Sequence, residues 1–197
     1  MSLKRFTPPE NWKDMLEKIG VMRIKKDAPV DFAGCHKCAD QNADEKSQRF
    51  QVLISLLLSS QTKDRVTYEV MGRLKEYGLN VDSMNLIQLD ALEELIFPIG
   101  FYKKKAVYIK KISEILRDRF HNDIPTSVEE LTQLPGIGPK MAYLAMKVAW
   151  NKVVGIGVDT HVHRISKRIG FVPPDSRNPE KTRTEIESWL PKYDSNL

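Results

Sequence analysis

The residues best suited to chemistry lie in Leu134-Pro135-Gly136-Ile137-Gly138-Pro139-Lys140 and, further along, at Asp159. In the first stretch a helix ends, a tight glycine turn follows, and Pro139 opens a second helix. Gly136 and Gly138 permit backbone conformations and close approaches that a side chain would block. The amides at the start of the second helix then form an anion site suited to one phosphate. A helix-hairpin-helix of this kind grips a DNA backbone without reading its sequence. The plainer reading is a helix–helix turn with a glycine cap. Lys140 stands in the first turn of the second helix and faces the positive end of its dipole. That position, when partly desolvated, should lower the lysine pKa and supply the neutral amine that imine formation needs. A further phosphate contact is the alternative, and both roles can hold at different steps.

Asp159 belongs to Gly157-Val158-Asp159-Thr160-His161-Val162-His163-Arg164. A helix from Lys140 to Trp150 covers roughly 16 Å, and residues 151–158 can return about 26 Å when extended. Asp159 can therefore come back beside Lys140. It also suits the N-cap of the following helix, where a carboxylate stays ionised. His161 and His163 alternate rather than share one helix face, so they are not a metal-ligand pair. They read as surface or cleft-edge residues.

Helices must hold these groups in place, and helix signals dominate the chain. Thr7-Pro8-Pro9-Glu10 reads as a helix start, followed by an amphipathic segment to about Met22. Residues 26–46 carry Pro29, Gly34 and both cysteines without periodicity and read as an irregular connection. Residues 50–58 are apolar almost all round, the pattern of a helix buried in a core. Over 103–120, Ile109, Ile112, Leu116 and Phe120 make one stripe. Lys104, Lys105, Lys110 and Lys111 fall largely off it and read as a basic face. Ser127-Val128-Glu129-Glu130 is a capping box, and Asn178-Pro179-Glu180 caps a last helix. The fold class is all-α.

With 197 residues the chain can bury a sizeable core. Its net charge of +5 favours polyanionic partners. No apolar run reaches membrane-spanning length, and the N-terminal residues leave no room for a secretory signal, so a soluble intracellular protein is expected. The only cysteines are Cys35 and Cys38. Two thiols exclude a disulfide framework and cannot complete a four-cysteine zinc or iron–sulfur site. Ordinary thiols in a solvated loop are expected, with a shared zinc site using His36 as the alternative. No metal site is expected from this chain alone.

The chain resembles the endonuclease III family of helix-hairpin-helix DNA glycosylases, its eukaryotic members in particular. The resemblance rests on Leu57-Leu58-Ser59-Ser60-Gln61-Thr62-Lys63-Asp64, Ile99-Gly100-Phe101-Tyr102, Leu134 to Lys140, and Val158 to Arg164. Lys26-Asp27-Ala28-Pro29-Val30-Asp31 adds a fifth block, and the similarity covers about residues 10–191. It implies a six-helix barrel lobe at 46–152 and a second helical lobe built from 1–45 and 153–197. It implies Lys140 as nucleophile and Asp159 as the essential carboxylate. Gln61 would probe the gap left by a flipped nucleotide, and Phe101 would wedge among unstacked bases. The plainer readings are a helix-terminal polar residue and a core aromatic. Gly136, Gly138 and His161 join Gln61 and Phe101 as expected DNA contacts.

The implied activity is a bifunctional glycosylase and abasic-site lyase. It would excise oxidised pyrimidines such as thymine glycol from double-stranded DNA and act as a monomer, off the membrane. The nucleus, with the mitochondrion as a second candidate, is the implied location. The family's [4Fe–4S] cluster has no four-cysteine loop in this sequence. The expectation is therefore a truncated second lobe, with the catalytic pair present and stability and activity reduced. A binding-only form, a hairpin interaction domain and a relative specific for another damaged base are the competing readings.

Overall fold

The computed structural model describes residues 6–191, and among these the secondary structure is entirely helical. The chain divides into two compact units, one formed by Met1–Asp27 with Gly155–Leu197 and the other by Ala28–Val154. Residues 28–45 thus fall in the same compact unit as 46–154.

The contiguous unit holds α2 (Pro29–Ala33), α3 (Glu45–Ser59), α4 (Asp64–Tyr77), α5 (Val81–Leu86), α6 (Leu89–Ile96), α7 (Tyr102–Phe120), α8 (Val128–Leu131) and α9 (Pro139–Ala149). Its axis is α3, which buries every residue from 50 to 58 and packs against α4, α7 and α9. The all-round apolar pattern of that segment has its cause here, because a helix hidden on every side has no face for water. Asp44 caps its start by accepting from the amides of Lys46 and Ser47. Ile109, Ile112 and Leu116 of α7 are fully buried as the stripe requires. At α8 the capping box closes differently from the usual form: the Glu130 amide donates to Ser127 Oγ, and the Ser127 hydroxyl donates to the Glu130 carboxylate.

Residues 26–46 are more ordered than their sequence suggested. Asp31 accepts from the Ala28 amide and opens α2, and a 3-10 turn spans Cys35–Lys37. Cys38 is fully buried and Cys35 packs on the core, so neither lies in a solvated loop. Burial pushes the Cys38 thiol up to about 11 and raises Cys35 as well, so both stay protonated at neutral pH.

The other unit holds α1 (Trp12–Met22), α10 (Thr160–Arg168) and α11 (Pro179–Trp189). The helix begins at Trp12 rather than at the Thr7-Pro8-Pro9-Glu10 segment, and the Trp12 amide donates to Pro9 O at 3.0 Å. Trp189 joins the two chain segments of this unit: its ring meets Trp12 edge-on at 5.4 Å and Phe171 at 5.5 Å. Its indole N–H donates to Phe171 O.

Arg49 on α3 forks onto Asp123, with Nε to Oδ1 at 2.9 Å and Nη2 to Oδ2 at 2.7 Å, and its guanidinium lies over the Trp150 ring. A lysine cannot reproduce the paired donors or the stacked plane. Arg49→Lys is expected to cost about 1–2 kcal/mol of stability, read as a lower denaturant midpoint with an unchanged slope.

Candidate DNA-contacting site

The site is built outward from the C-terminal end of α3. A helix leaves its last four carbonyls without partners inside the helix, and here each finds one. The hydroxyls of Ser59 and Ser60 donate to Leu56 O and Leu57 O, both at 2.9 Å. Lys105 Nζ donates to Leu58 O at 2.9 Å, and the Thr62 amide donates to Ser59 O. Lys105 Nζ also donates to Ser60 O at 2.5 Å, just past the helix. Lys105 is therefore not part of a solvated basic face, as its place off the apolar stripe suggested. It is 5 % exposed, and burial pulls its pKa down to about 8. Lys110 departs from that reading in the same way, donating to Met84 O, Asn85 O and Ile87 O at the end of α5.

Beyond this cap the chain exposes Gln61, which adopts a left-handed backbone at φ 52°. Phe101, at the N-cap of α7, is also left-handed at φ 58° and is 64 % exposed. The core-aromatic reading of Phe101 is thereby excluded. Such a backbone is rare for residues of this size and persists where the surroundings hold it. Gly100 supplies that constraint: a Cβ there would fall 2.5 Å from Gln61 O, and its amide donates to Thr62 Oγ1 at 3.1 Å.

The hairpin lies beside these residues. Gly136 has φ 80°, and a Cβ on it would collide with the Tyr108 ring at 2.5 Å and with Leu57 at 2.9 Å. Gly138 differs: its φ of −99° suits any residue, and a Cβ there would meet nothing within 4 Å. It is the N-cap of α9 and offers no side-chain cap to the amides of the first turn. Lys140 is exposed at the second position of α9. Gln61, Phe101 and Gly136 share a shallow cavity of about 200 Å³ with Lys104, Lys105 and Tyr108.

In the other unit, Asp159 is the N-cap of α10, and its Oδ1 accepts from the Val162 amide at 2.8 Å. His161 is exposed and its ring nitrogen lies 3.4 Å from Arg164. His163 is turned inward, 2.6 Å from Thr182 Oγ1, which in turn lies 2.9 Å from Ser176 Oγ. It is a structural group rather than a cleft-edge one, because that hydrogen-bond chain holds α10 to α11.

Lys105, Tyr108 and Thr62 escaped sequence reasoning. A buried helix must end somewhere, and that gave a signal for Lys105; Tyr108 had none, because only the folded chain brings it against Gly136.

Among the described residues there is no group of three or more His, Cys, Asp or Glu able to hold a metal. A [4Fe–4S] cluster needs four thiolates. This sequence has two cysteines, both held protonated by burial, so its residues do not fit that group.

A family model for the HhH-GPD superfamily base excision DNA repair proteins matches residues 54–192, a span that contains Gln61, Phe101, Gly136, Gly138, Lys140, Asp159 and His161. The chain is 53 % identical over 186 residues to endonuclease III-like protein 1 of Gallus gallus, covering 93 % of this chain and 66 % of that one. It is 52 % identical over 184 residues to the Mus musculus protein of the same name, covering 93 % and 61 %. The chain thus spans less than two thirds of the length of these relatives. Among solved structures it is similar to a trapped endonuclease III–DNA covalent intermediate in an estranged-adenine complex. That similarity has a TM-score of 0.76 and 30 % identity, over 92 % of this chain and 78 % of that one.

Two outcomes follow from this geometry. Gly136→Ala should cost about 2–3 kcal/mol through strain and collision, whereas Gly138→Ala should cost under about 1 kcal/mol; thermal unfolding of the two variants compares them. The lowered pKa of Lys105 means that the unfolded chain binds more protons than the folded one between about pH 8 and 10.5. Stability relative to Lys105→Met should therefore rise with pH across that window and be flat below it, as urea midpoints at pH 7, 8.5 and 10 would read.

Proposed function

The chain belongs to the HhH-GPD superfamily of base excision DNA repair proteins, and from that premise we propose that it is a DNA glycosylase and abasic-site lyase for oxidised pyrimidines such as thymine glycol. The observation that carries the reading is an exposed lysine, Lys140, in the first turn of the helix behind the glycine hairpin. A glycosylase that used water alone would have no need of an amine at that place.

The target nucleotide must leave the stack before its glycosidic bond can be reached. Phe101 and Gln61 are suited to fill the space it vacates, being exposed on backbones held in unusual conformations. Gly138 leaves room for a phosphate against the first amides of α9. His161 is a further backbone contact. The Lys140 amine attacks C1′, a C–N bond forms, and the base departs with the electrons of the glycosidic bond and a proton. Asp159 stabilises the positive charge that develops on the sugar. The sugar ring opens to an imine, which acidifies the C2′ proton. Loss of that proton expels the 3′ phosphate by β-elimination, and the strand is cut 3′ to the lesion. We place this work in the nucleus, with the mitochondrion as a second site, on a chain acting as a monomer.

Borohydride trapping tests the reading, because only a reacting amine can be reduced onto DNA. One duplex carries thymine glycol and a second carries an abasic site. Covalent adducts on both are expected, lost in Lys140→Gln and formed about a hundredfold more slowly in Asp159→Asn, with a smaller effect on binding. An adduct that persisted in Lys140→Gln would refute the nucleophile. Binding with no adduct on either duplex would leave a DNA-gripping protein without this chemistry.

A further inference from the structure

Gln61 and Phe101 stand on separate elements, yet one residue reaches both. The Lys105 amide donates to Phe101 O at 3.0 Å, which begins the α7 ladder. The Lys105 ammonium donates to Leu58 O and to Ser60 O, the residue immediately before Gln61. A second tie runs parallel to it, from the Gly100 amide to Thr62 Oγ1, with Gly100 pressed against Gln61 O. The two exposed tips therefore bracket a closed loop of contacts. Lys105 crosses it on one side and Gly100 with Thr62 on the other.

We infer that Lys105 is a positioning residue for engagement of damaged DNA, locking the Gln61 loop to the Phe101 turn so that both tips enter the unstacked site as one body. The inference rests on the reading above that Gln61 and Phe101 insert into the duplex. Two tips on independent loops would each lose conformational freedom on insertion, and binding would bear that cost twice. Tips already joined lose little, and a flipped nucleotide has no vacant space to fall back into. A residue that served only to cap α3 would have no reason to reach past the helix to Ser60 O, since the carbonyls inside the helix are satisfied by Lys105 at Leu58 O and by Ser59, Ser60 and Thr62.

The test uses the full chain and a duplex with a stable tetrahydrofuran abasic analogue opposite 2-aminopurine, whose fluorescence rises as it unstacks. The rate of borohydride adduct formation on a true abasic duplex is measured alongside. Lys105→Met should lower the fluorescence rise and slow the adduct by about ten- to a hundredfold, and Lys105→Arg should recover part of both. In a Gln61→Ala/Phe101→Ala background, Lys105→Met should change neither any further. An equal loss in both backgrounds would mean that Lys105 matters only to the fold, and no loss in the parent chain would overturn the inference directly. If Lys105→Met fails to fold, Thr62→Val opens the parallel tie at a partly exposed position. It must then show the same dependence on the tips, or the inference falls. Parent-like behaviour of Gln61→Ala/Phe101→Ala itself would instead refute the insertion reading on which this one rests.

Discussion

A helix that is apolar on every side must end inside the protein, and its carbonyls must end there with it. Much of the contiguous unit answers that constraint. α3 is long, buried through nine consecutive positions and packed against three helices. Its C-terminal carbonyls would carry a heavy desolvation penalty if left bare. Two serines, an amide and a lysine remove that penalty. The same groups fix where the chain emerges, and it emerges at Gln61. An internal bonding requirement thus determines the location of an exposed polar tip.

The hairpin glycines divide by the same logic of inside and outside. Gly136 is required by the protein itself, because Tyr108 and Leu57 occupy the space a side chain would take. Nothing in the protein requires Gly138. Under the proposed function, that open space is where a DNA phosphate would meet the first amides of α9. Lys140 follows two residues on, at the same helix end. Asp159 stands at the first turn of a different helix in the other unit, so each member of the proposed pair is placed by a helix start.

Much of this was legible in the sequence. The all-α class, the buried helix at 50–58, the caps at Ser127, Asp159 and Asn178, and the hairpin all announce themselves through periodicity and capping chemistry, which are local. What failed was where distant segments decide the outcome. Lys105 and Lys110 look like solvent-facing charges because their helix stripe says so, yet each reaches a carbonyl cluster on another element. Cys35 and Cys38 look like loop thiols because short helices of a single turn or so have no periodicity to display. His163 alternates with His161 in the sequence, and only the packing of α11 turns one inward and leaves the other outside.

The division of the chain sets an order of assembly during synthesis. The unit from Ala28 to Val154 is continuous, so it can close while the rest is still being made. The opening segment cannot. Among the described residues, Trp12 meets its aromatic partner at Trp189, and α1 buries none of its own residues, leaving Ile19 and Met22 exposed. At about 5–20 residues per second, that first helix waits on the order of 10–30 s at the ribosome for its counterpart to emerge. For that interval Trp12 lacks the ring that later packs against it, while the contiguous unit can already be closed.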